Sequence, residues 1–588
     1  MQQPKGRFKV KGRLSTLLAD MPADKTRKLR SQEWWTGGDY YSFSRKAWLR
    51  SEGYTRDVFE NRPVIGICNS WSELNNCNAH LRTVAEAVKR GVWRAGGFPL
   101  EFPTISLGEM FLKPTSMLFR NLMSMDVEEM ITANPLDGVV LLCGCDKTTP
   151  AQLMGAASAD LPAIMVTGGP MLHGQWKDRK LGAGTDGRKL FDLFRTGKLT
   201  EGEMCQIEGG LARSAGHCTV MGTASTMASV VEAIGMTLPG CAAIPAPDSR
   251  RLELAERSGA RIVDMVWEDL RPSKILTAAA FRNAITIDMA IGGSTNAVVH
   301  LLAIAGRLGI DLELDEFDRI SKRTPCIVNV KPSGEYLMED LFAAGGIPAV
   351  MKEVESLLET DAITVNGKTV AANIADAECF DRNVIRPYDE PLSTEGGTAI
   401  LRGNLAPNGA VIKPTAASPH LLQHRGKAYV FETYKSMREQ IDSPDLPVTK
   451  DTILVMKSCG PKGAPGFPEW GQIPMPKVLL EQGIDDMVRI SDARMSGTSF
   501  GTVVLHVAPE SAIGGPLAAV ETGDEIELDT ANRTIVLLVS DEEITRRLAA
   551  RPAVPPHYER GYGKLFLDHV NQADQGCDFD FLRKNRTV

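Results

Sequence analysis

Residues 137–167 read DGVVLLCGCDKTTPAQLMGAASADLPAIMVT and indicate the fold class. Asp137–Cys143 is a continuous apolar run with the length of a buried strand, and Pro162–Thr167 is a second such run. Ala151–Ser158, between them, has the character of a helix. Two apolar strands separated by a helix are typical of a βαβ unit in a parallel sheet. The sequence therefore predicts an α/β domain around this stretch.

The same pattern extends toward the N-terminus. Arg62–Cys68 (RPVIGIC) predicts another buried strand, and Ala79–Ala95 has apolar residues at helical spacing. In parallel sheets, ligands bind in the loops that follow the carboxyl ends of the strands. We therefore look for a functional site in the loops after these strands.

The composition of the sequence and its predicted secondary structure change near residue 380. Asp381–Gly397 is polar, contains two prolines and ends in two glycines, which predicts a linker. Beyond it the sequence predicts closely spaced short strands, which favour either a barrel or a sandwich. Ser540–Glu543 fits a capping box that begins a helix. The predicted strands are Ala399–Arg402, Ala428–Phe431, Ile453–Lys457, Val503–Val507 and a hairpin of Glu525–Leu528 with Thr534–Val539.

The composition of the 588 residues is that of a globular protein, with 43% hydrophobic and 24% charged residues. The net charge of −7 gives no support to nucleic-acid binding. No apolar run approaches the roughly 18 residues of a membrane span. The 11 cysteines are an odd number without a C-x-x-C pair, which favours reduced thiols over a disulfide framework or a zinc ribbon. A metal site would have to combine distant segments.

The N-terminus is basic. Residues 1–19 contain five Lys or Arg side chains and no acid. Such a segment is either a transit peptide or a solvated basic arm that packs on a partner subunit. Because the stretch is short and poor in Ser, we favour an arm, and we assign residues 1–27 to it.

The loop after the Asp137–Cys143 strand carries Cys145, Asp146 and Lys147 side by side. A thiolate can bind a soft metal and a carboxylate a hard one, so this triplet is a candidate site. The alternative is a surface turn with a capping Asp. Cys143 and Cys145 alternate along the strand, so only Cys145 is expected to face the site.

Two further cysteines lie in loops of similar character. Cys77 follows the Arg62–Cys68 strand within WSELNNCNAH, and Cys218 precedes a helix-like run within SAGHCTVMGTAST. With Cys145, these thiolates could bind an iron–sulfur cluster and leave one iron position open, where the iron acts as a Lewis acid. The alternative is that each is a small buried hydrophobic side chain.

Two acids and one serine complete the set of candidates. Glu109 lies between apolar neighbours, and Glu469 lies in the Gly- and Pro-rich stretch 460–471. Together with Asp146 they would form an oxygen-rich site for Mg²⁺, whereas each alone could be a solvated carboxylate. Ser496 is flanked by small residues, so its hydroxyl could contact a ligand, although most serines in such loops form turns.

Two long motifs connect the chain to a known family. Residues 145–155 (CDKTTPAQLMG) and 491–497 (SDARMSG) resemble the two signatures of the dihydroxy-acid dehydratase/phosphogluconate dehydratase family, and residues 292–297 (GGSTNA) are similar to a third segment of it. The resemblance covers roughly residues 28–585. Members convert 2,3-dihydroxy acids to 2-keto-3-deoxy acids.

The resemblance implies a two-domain architecture. Residues 28–385 would form an α/β domain with flavodoxin-like halves and parallel sheets. Residues 386–588 would form a β-barrel domain with a terminal helical tail. It also implies a cytoplasmic homodimer or homotetramer with the active site near the subunit interface.

The resemblance further implies two cofactors and a catalytic base. An iron–sulfur cluster would be bound by Cys77, Cys145 and Cys218. Lys147 would become a carbamate, which converts an amine into an oxygen ligand, and Ser496 would be the base. The implied ligands of Mg²⁺ are Glu109, Asp146, Lys147 and Glu469.

Variants within the motifs indicate the branch of the family. Thr148, Thr149 and Ala151 in the first motif, with Ser491, Ala493 and Met495 in the second, resemble the sugar-acid dehydratases, especially those of pentonates such as L-arabinonate. That branch typically has a 2Fe–2S rather than a 4Fe–4S cluster. The alternatives are a dihydroxy-acid dehydratase of branched-chain amino-acid synthesis and, more remotely, a non-catalytic iron–sulfur sensor.

Overall fold

The computed structural model describes residues 27–551 and 556–584. The predicted basic arm therefore lies outside the described residues except for Arg27, whose guanidinium pairs with Asp269 at 2.6 Å. No helix in these two described ranges is both long and apolar enough to cross a membrane.

A four-stranded parallel sheet with the order β2-β1-β3-β4 forms the core of the N-terminal region. Every residue of β1, β3 and β4 is buried, which is the reason that these strands are continuous apolar runs. The strands are β1 (Val64–Asn69), β2 (Phe98–Pro103), β3 (Gly138–Cys143) and β4 (Ala163–Thr167). A separate hairpin pairs β5 (Gly174–Trp176) with β6 (Arg179–Leu181).

Helices surround this sheet, and among them α3 packs on β1 while α9 packs on β3 and β4. The helices up to residue 268 are α1 (Gln32–Trp35), α2 (Tyr40–Arg50), α3 (Leu81–Arg94), α4 (Arg120–Ala133), α5 (Thr148–Ala159), α6 (Thr185–Arg195), α7 (Glu201–Leu211), α8 (Thr223–Ala233) and α9 (Ser249–Glu268). Those of residues 272–374 are α10 (Pro272–Ile275), α11 (Ala278–Ala290), α12 (Asn296–Leu308), α13 (Leu314–Ser321), α14 (Met338–Ala343), α15 (Gly346–Glu353) and α16 (Val370–Ile374).

The α/β class and the predicted βαβ unit are confirmed. The three predicted strands and both helices of this region form within a few residues of their expected ends. The family resemblance implied two flavodoxin-like halves with parallel sheets. Among the described residues, the α/β region instead contains one parallel sheet of four strands. Residues 326–330 and 385–393 contribute only isolated bridges, and helices fill the rest of that second half.

The C-terminal region contains a closed barrel, which decides between the two predicted architectures. Its strand order is β10-β11-β12-β8-β7-β14-β13-β9, and closure leaves no strand edge unpaired. The strands are β7 (Ala399–Gly403), β8 (Ala406–Ile412), β9 (Gln423–Phe431), β10 (Ile453–Met456), β11 (Arg489–Ser491), β12 (Val503–Ala508), β13 (Glu525–Asp529) and β14 (Thr534–Leu537). The remaining helices are α17 (Tyr434–Gln440), α18 (Lys477–Leu480), α19 (Asp541–Ala549) and α20 (Gly561–His569).

Local signals in this region are also confirmed. β13 and β14 form the predicted antiparallel hairpin. Ser540 caps α19 by accepting a hydrogen bond from the Glu543 N–H at 3.3 Å. Only this half of the capping box forms, because the Glu543 carboxylate binds Arg546 and Arg547 instead. The predicted linker, residues 381–397, contains no helix or strand and packs against residues 326–329.

The C-terminal tail docks on helices of the α/β region. The guanidinium of Arg120, which is fully buried in α4, donates to the carbonyls of Gly576 and Cys577 at 2.9 and 2.8 Å. Arg307 of α12 pairs with Asp578 at 2.6 Å, and neither side chain is exposed. These buried contacts connect the end of the chain to the helices beside the parallel sheet.

Candidate active site

The candidate active site lies where the carboxyl end of the parallel sheet meets loops of the barrel. Each predicted site residue except Cys218 follows a strand that has a parallel neighbour. This is the position at which α/β sheets bind ligands. The loops after β1, β2, β3, β10 and β11 carry Cys77, Glu109, residues 145–147, Glu469 and Ser496, respectively.

Lys147 occupies the centre of the acidic half of the site. Its side chain has no exposed surface, and its Nζ lies 2.6 Å from Asp146 Oδ2, 3.4 Å from Glu109 Oε2 and 3.3 Å from Glu469 Oε1. Burial opposes ionisation of the amine, but the three carboxylates outweigh it and raise the Lys147 pKa. The structure thus brings all four predicted Mg²⁺ ligands together.

Glu109 is held in its charged form by its surroundings. Its carboxylate accepts hydrogen bonds from the Thr115 hydroxyl at 2.8 Å, from the Ser116 N–H at 3.0 Å and from the Ser116 hydroxyl. Burial alone would raise the pKa of Glu109, but the charges of Lys147 and Arg494 with these hydrogen bonds lower it to about 2. The carboxylate is therefore expected to be ionised at neutral pH while Lys147 is an ammonium.

Arg494 connects the two glutamates. This fully buried guanidinium donates to Glu469 Oε1 at 3.1 Å and to Thr115 Oγ1 at 3.3 Å, and Thr115 in turn binds Glu109. A third donor, Nε, binds the Phe467 carbonyl at 2.7 Å. The fork geometry of arginine allows one side chain to fix both loops.

The carboxylates converge on an amine rather than on a position prepared for a cation. Among the described residues, no group of three His, Cys, Asp or Glu side chains has the geometry to bind a metal ion by itself. Three carboxylates face the positive charges of Lys147 and Arg494, so this group carries one net negative charge. As an ammonium, Lys147 would compete with a metal cation for the three carboxylates. A cation site here therefore requires that Lys147 lose its positive charge and become a ligand.

The three predicted thiols form the other half of the site. Cys145 is buried, and Cys77 and Cys218 are half-buried. A hydrogen bond with Cys145, then burial and the charges of Cys145, Cys218 and Asp146 raise the Cys77 pKa well above its ordinary value. Burial, followed by the charges of Cys145, Asp146 and Glu469, raises the Cys218 pKa to about 12. Thiols that penalise each other's ionisation in this way need a cationic partner to become thiolates.

Close backbone contacts bring these cysteines together. A Cβ on Gly144 would lie 2.5 Å from the Cys77 carbonyl, so only glycine permits the two loops to approach so closely. Asn76 binds the loop of Cys218, since the Gly216 N–H donates to the Asn76 carbonyl at 3.1 Å. Cys143, by contrast, lies near Cys241, which confirms that it faces away from the site.

Ser496 lies beside this centre without touching the carboxylates. Among the described residues its hydroxyl forms hydrogen bonds only within its own loop, to Thr498 Oγ1 at 3.0 Å and to the Thr498 N–H at 3.4 Å. The residue is half-buried, so its hydroxyl keeps an exposed side. Its contact with the acidic group is indirect.

Asn296 supplies that indirect connection. Its fully buried amide donates to Glu469 Oε1 at 3.3 Å, to the Met495 carbonyl at 3.0 Å and to Thr223 Oγ1 at 2.9 Å. It therefore fixes the peptide that precedes Ser496 relative to Glu469. Asn296 and Arg494 are not among the site residues predicted from the sequence, although both lie inside the motifs that carry the family resemblance.

Comparison with known proteins agrees with this architecture. The N-terminal model of the dihydroxy-acid/6-phosphogluconate dehydratase family matches residues 62–373, and its C-terminal model matches residues 383–577. The chain is therefore an enzyme of the hydro-lyase class. It belongs to the dihydroxy-acid/6-phosphogluconate dehydratase family.

Three curated relatives are similar over nearly their whole length. L-arabinonate dehydratase of Rhizobium leguminosarum bv. trifolii is 54% identical over 95% of this chain and 97% of its own. L-arabonate dehydratase of Azospirillum brasilense is 54% identical over 96% of this chain and 98% of its own. 6-Deoxy-6-sulfo-D-gluconate dehydratase of Pseudomonas putida is 49% identical over 96% of this chain and 98% of its own. All three names describe sugar-acid dehydratases.

Replacing Arg494 by Lys is expected to lower kcat/KM by roughly 10- to 100-fold, because an ammonium cannot bind Glu469, Thr115 and the Phe467 carbonyl at once. The measurement is steady-state kinetics at several Mg²⁺ concentrations. Arg489→Lys is the matched control, since Arg489 is equally buried but pairs with Asp486 away from the site. Equal losses in both variants would contradict a specific role for Arg494.

Proposed function

We propose that this dehydratase is iron–sulfur- and Mg²⁺-dependent and converts a sugar acid to its 2-keto-3-deoxy acid, with a pentonate such as L-arabinonate as the substrate. The observation that carries the proposal is the convergence of Glu109, Asp146 and Glu469 on Lys147 beside three thiols. The names of the relatives support a sugar acid as the substrate.

The charge balance of the acidic group supports Mg²⁺ with a carbamate on Lys147. Conversion of the ammonium to a carbamate would leave four negative groups facing Arg494, a net charge of −3. A divalent cation would restore the single net negative charge of the unmodified group. Mg²⁺ prefers oxygen ligands, and Glu109, Asp146, Glu469 and the carbamate would supply them.

The thiols support an iron–sulfur cluster bound by Cys77, Cys145 and Cys218. The raised pKa values of Cys77 and Cys218 mean that these thiols need a cationic centre to become thiolates, and iron would supply it. We propose the 2Fe–2S type on the similarity to sugar-acid dehydratases. When bound, Mg²⁺ and the open iron position supply Lewis acidity to the substrate hydroxyls at C2 and C3, respectively.

We propose that Ser496 removes the C2 proton. The C3 hydroxyl then departs as hydroxide and takes up the proton that Ser496 removed, so one water is lost and the base is regenerated. The resulting enol tautomerises to the 2-keto acid. A neutral serine is too weak a base, so its alkoxide must be stabilised. Gly497, the next residue, packs against the Thr223 N–H at the start of α8. Because helix N-termini favour negative charge, we propose that this helix stabilises the alkoxide.

A substrate panel tests the proposed function. Protein purified without oxygen and supplied with Mg²⁺ is expected to form 2-keto acid from L-arabinonate or a related sugar acid, with kcat/KM at least about 100-fold above that for 2,3-dihydroxyisovalerate. The other acids in the panel are D-xylonate, D-gluconate, D-galactonate and L-fuconate. Preference for dihydroxyisovalerate would support the branched-chain alternative. An intact cluster without turnover of any acid would support the sensor.

We also propose the organisation of the whole chain. The α/β domain would occupy residues 28–385 and the barrel domain with its tail residues 386–588, with the basic arm before them. The family matches end at 373 and resume at 383, which supports this division. A cytoplasmic homodimer or homotetramer completes the proposal, and mass measurement in solution would test the assembly.

A further inference from the structure

The C-terminal tail, residues 556–584, contacts two loops that carry glutamates of the candidate active site. We call residues 109–119 the Glu109 loop and residues 460–471 the Glu469 loop. Buried side chains of both loops and of the tail belong to one hydrophobic cluster. The loops contribute Met117, Leu118 and Phe467 to it, and the tail contributes Phe566, Val570 and Phe579. A segment that shares a core with both loops can fix their separation.

Tyr562 connects the tail to the Glu109 loop. Its hydroxyl donates to the Leu118 carbonyl at 2.7 Å, and its ring stacks on Phe119 with the ring centroids 6.0 Å apart. Two residues before Leu118, Ser116 donates its backbone N–H and its hydroxyl to the Glu109 carboxylate. Tyr562 therefore holds the turn that orients Glu109.

Gln572 connects the tail to the start of the Glu469 loop through Glu510. The Glu510 side chain is buried, and its carboxylate accepts hydrogen bonds from the backbone N–H groups of Lys462 at 3.0 Å and Gly463 at 2.8 Å. Gln572 donates to the same carboxylate at 2.7 Å and accepts from the Glu510 N–H at 3.0 Å. His557, nearer the start of the tail, donates from Nε2 to the Gly463 carbonyl at 2.8 Å. Because a buried carboxylate depends on its donors, Gln572 fixes the side chain that holds this loop.

The two loops meet at the point that Tyr562 holds. A Cβ on Gly466 would lie 2.5 Å from Leu118 Cβ, and Gly466 has a φ of +89°, so only glycine permits this contact. Gly466 is three residues before Glu469. A shift of Leu118 would therefore disturb the path of the chain to Glu469 as well as the turn that binds Glu109.

The contacts of the tail are confined to the acidic half of the site. Among residues 27–551 and 556–584, no hydrogen bond or ion pair joins the tail to the cysteine-bearing loops, residues 70–80, 144–149 and 214–222. A change in the tail is therefore expected to affect the carboxylates more than the thiols.

We propose that the C-terminal tail is a strap that sets the separation of Glu109 and Glu469 and thereby the affinity of the acidic group for Mg²⁺. Tyr562 and Gln572 are positioning residues, because each acts on a glutamate through other residues of the loop or barrel. The inference rests on the proposed function for the identity of the metal, whereas the support of the two loops is measured independently of it.

The test compares Tyr562→Phe and Gln572→Leu in the full-length protein, purified without oxygen. Each variant loses a hydrogen-bonded contact that holds one loop, so the MgCl₂ concentration for half-maximal turnover is expected to rise about 3- to 10-fold, more than kcat at saturating Mg²⁺ falls. Iron content should stay unchanged. Amide hydrogen exchange is expected to accelerate at least about threefold, at residues 115–119 in Tyr562→Phe and at residues 460–467 in Gln572→Leu.

Two matched variants separate this strap from a general effect of altering the tail. Tyr558→Phe makes the same chemical change at a ring that packs against Gly563. Gln575→Leu replaces an exposed glutamine near Gln572. Both should keep the Mg²⁺ requirement and the exchange of both loops within about twofold of the unmodified protein. Tyr562→Phe removes a single oxygen and keeps its ring, so it decides the comparison if Gln572→Leu does not accumulate.

Specific results would overturn the inference. An unchanged Mg²⁺ requirement and unchanged exchange at residues 115–119 in Tyr562→Phe would exclude the strap, as would a loss of iron as large as the loss of Mg²⁺ affinity. An unmodified protein that converts no acid of the panel would contradict the proposed function instead. In that case the exchange measurement still decides whether the tail holds the two loops.

Discussion

Replacing Ser496 by Ala is expected to lower kcat by about 10²- to 10⁴-fold, which is the range typical of a general base. Iron content and the visible absorption of the cluster should stay unchanged, because the Ser496 hydroxyl binds only Thr498 among the described residues. The geometry of the carboxylates should also survive, since Asn296 holds this loop through the Met495 carbonyl and not through Ser496. The measurement is turnover of the best sugar acid, normalised to intact clusters.

Ser499→Ala is the matched control for this prediction. Ser499 lies in the same loop and is fully buried, and its hydroxyl has no hydrogen-bond partner within the described part of the chain. It is expected to keep turnover within about threefold of the unmodified protein. If Ser496→Ala retains more than a tenth of the kcat of the unmodified protein, Ser496 is not the base.

The second large effect is expected from the cysteines. Cys145→Ser should lower the iron content more than about tenfold and abolish turnover, because a buried hydroxyl cannot replace a thiolate toward iron. Cys77→Ser and Cys218→Ser are expected to have the same result, since both thiols lie beside Cys145. Iron analysis and visible spectroscopy of anaerobically purified protein provide the measurement.

Cys143→Ser separates loss of a ligand from loss of a buried thiol. Cys143 is two residues from Cys145 and fully buried, but it faces Cys241 and forms a side-chain hydrogen bond with Thr149. We expect this variant to keep its cluster and most of its turnover. If Cys77→Ser, Cys145→Ser or Cys218→Ser keeps its full iron content, that cysteine is not a ligand of the proposed cluster.

Much of the fold could be predicted from local sequence because its determinants are local. The apolar runs of β1, β3 and β4 are continuous since both faces of the sheet are covered by helices. The second half of the α/β region was harder to predict from the sequence. Four of the five residues 326–330 (CIVNV) are apolar, yet the segment pairs only through isolated bridges, and no local pattern distinguishes it from a strand.

The candidate site was predictable in part for a related reason. Cys145, Asp146 and Lys147 follow a recognisable strand, so the loop could be identified before its partners were known. The partners could not, because Lys147 and Glu469 are 322 positions apart and each glutamate alone is indistinguishable from a solvated carboxylate. The resemblance to a family supplied that connection. In the structure, the carboxylates of Glu109, Asp146 and Glu469 each lie within 3.4 Å of Lys147 Nζ.

By itself, the sequence determined the α/β class, the strand-rich C-terminal region and the reactive loops, since apolar periodicity and turn residues act over a few positions. Only the tertiary structure decided which side chains support these loops. Arg494 and Asn296 connect residues from distant segments. Burial and electrostatic compensation depend on neighbours in space, and those neighbours exist only once the chain has folded.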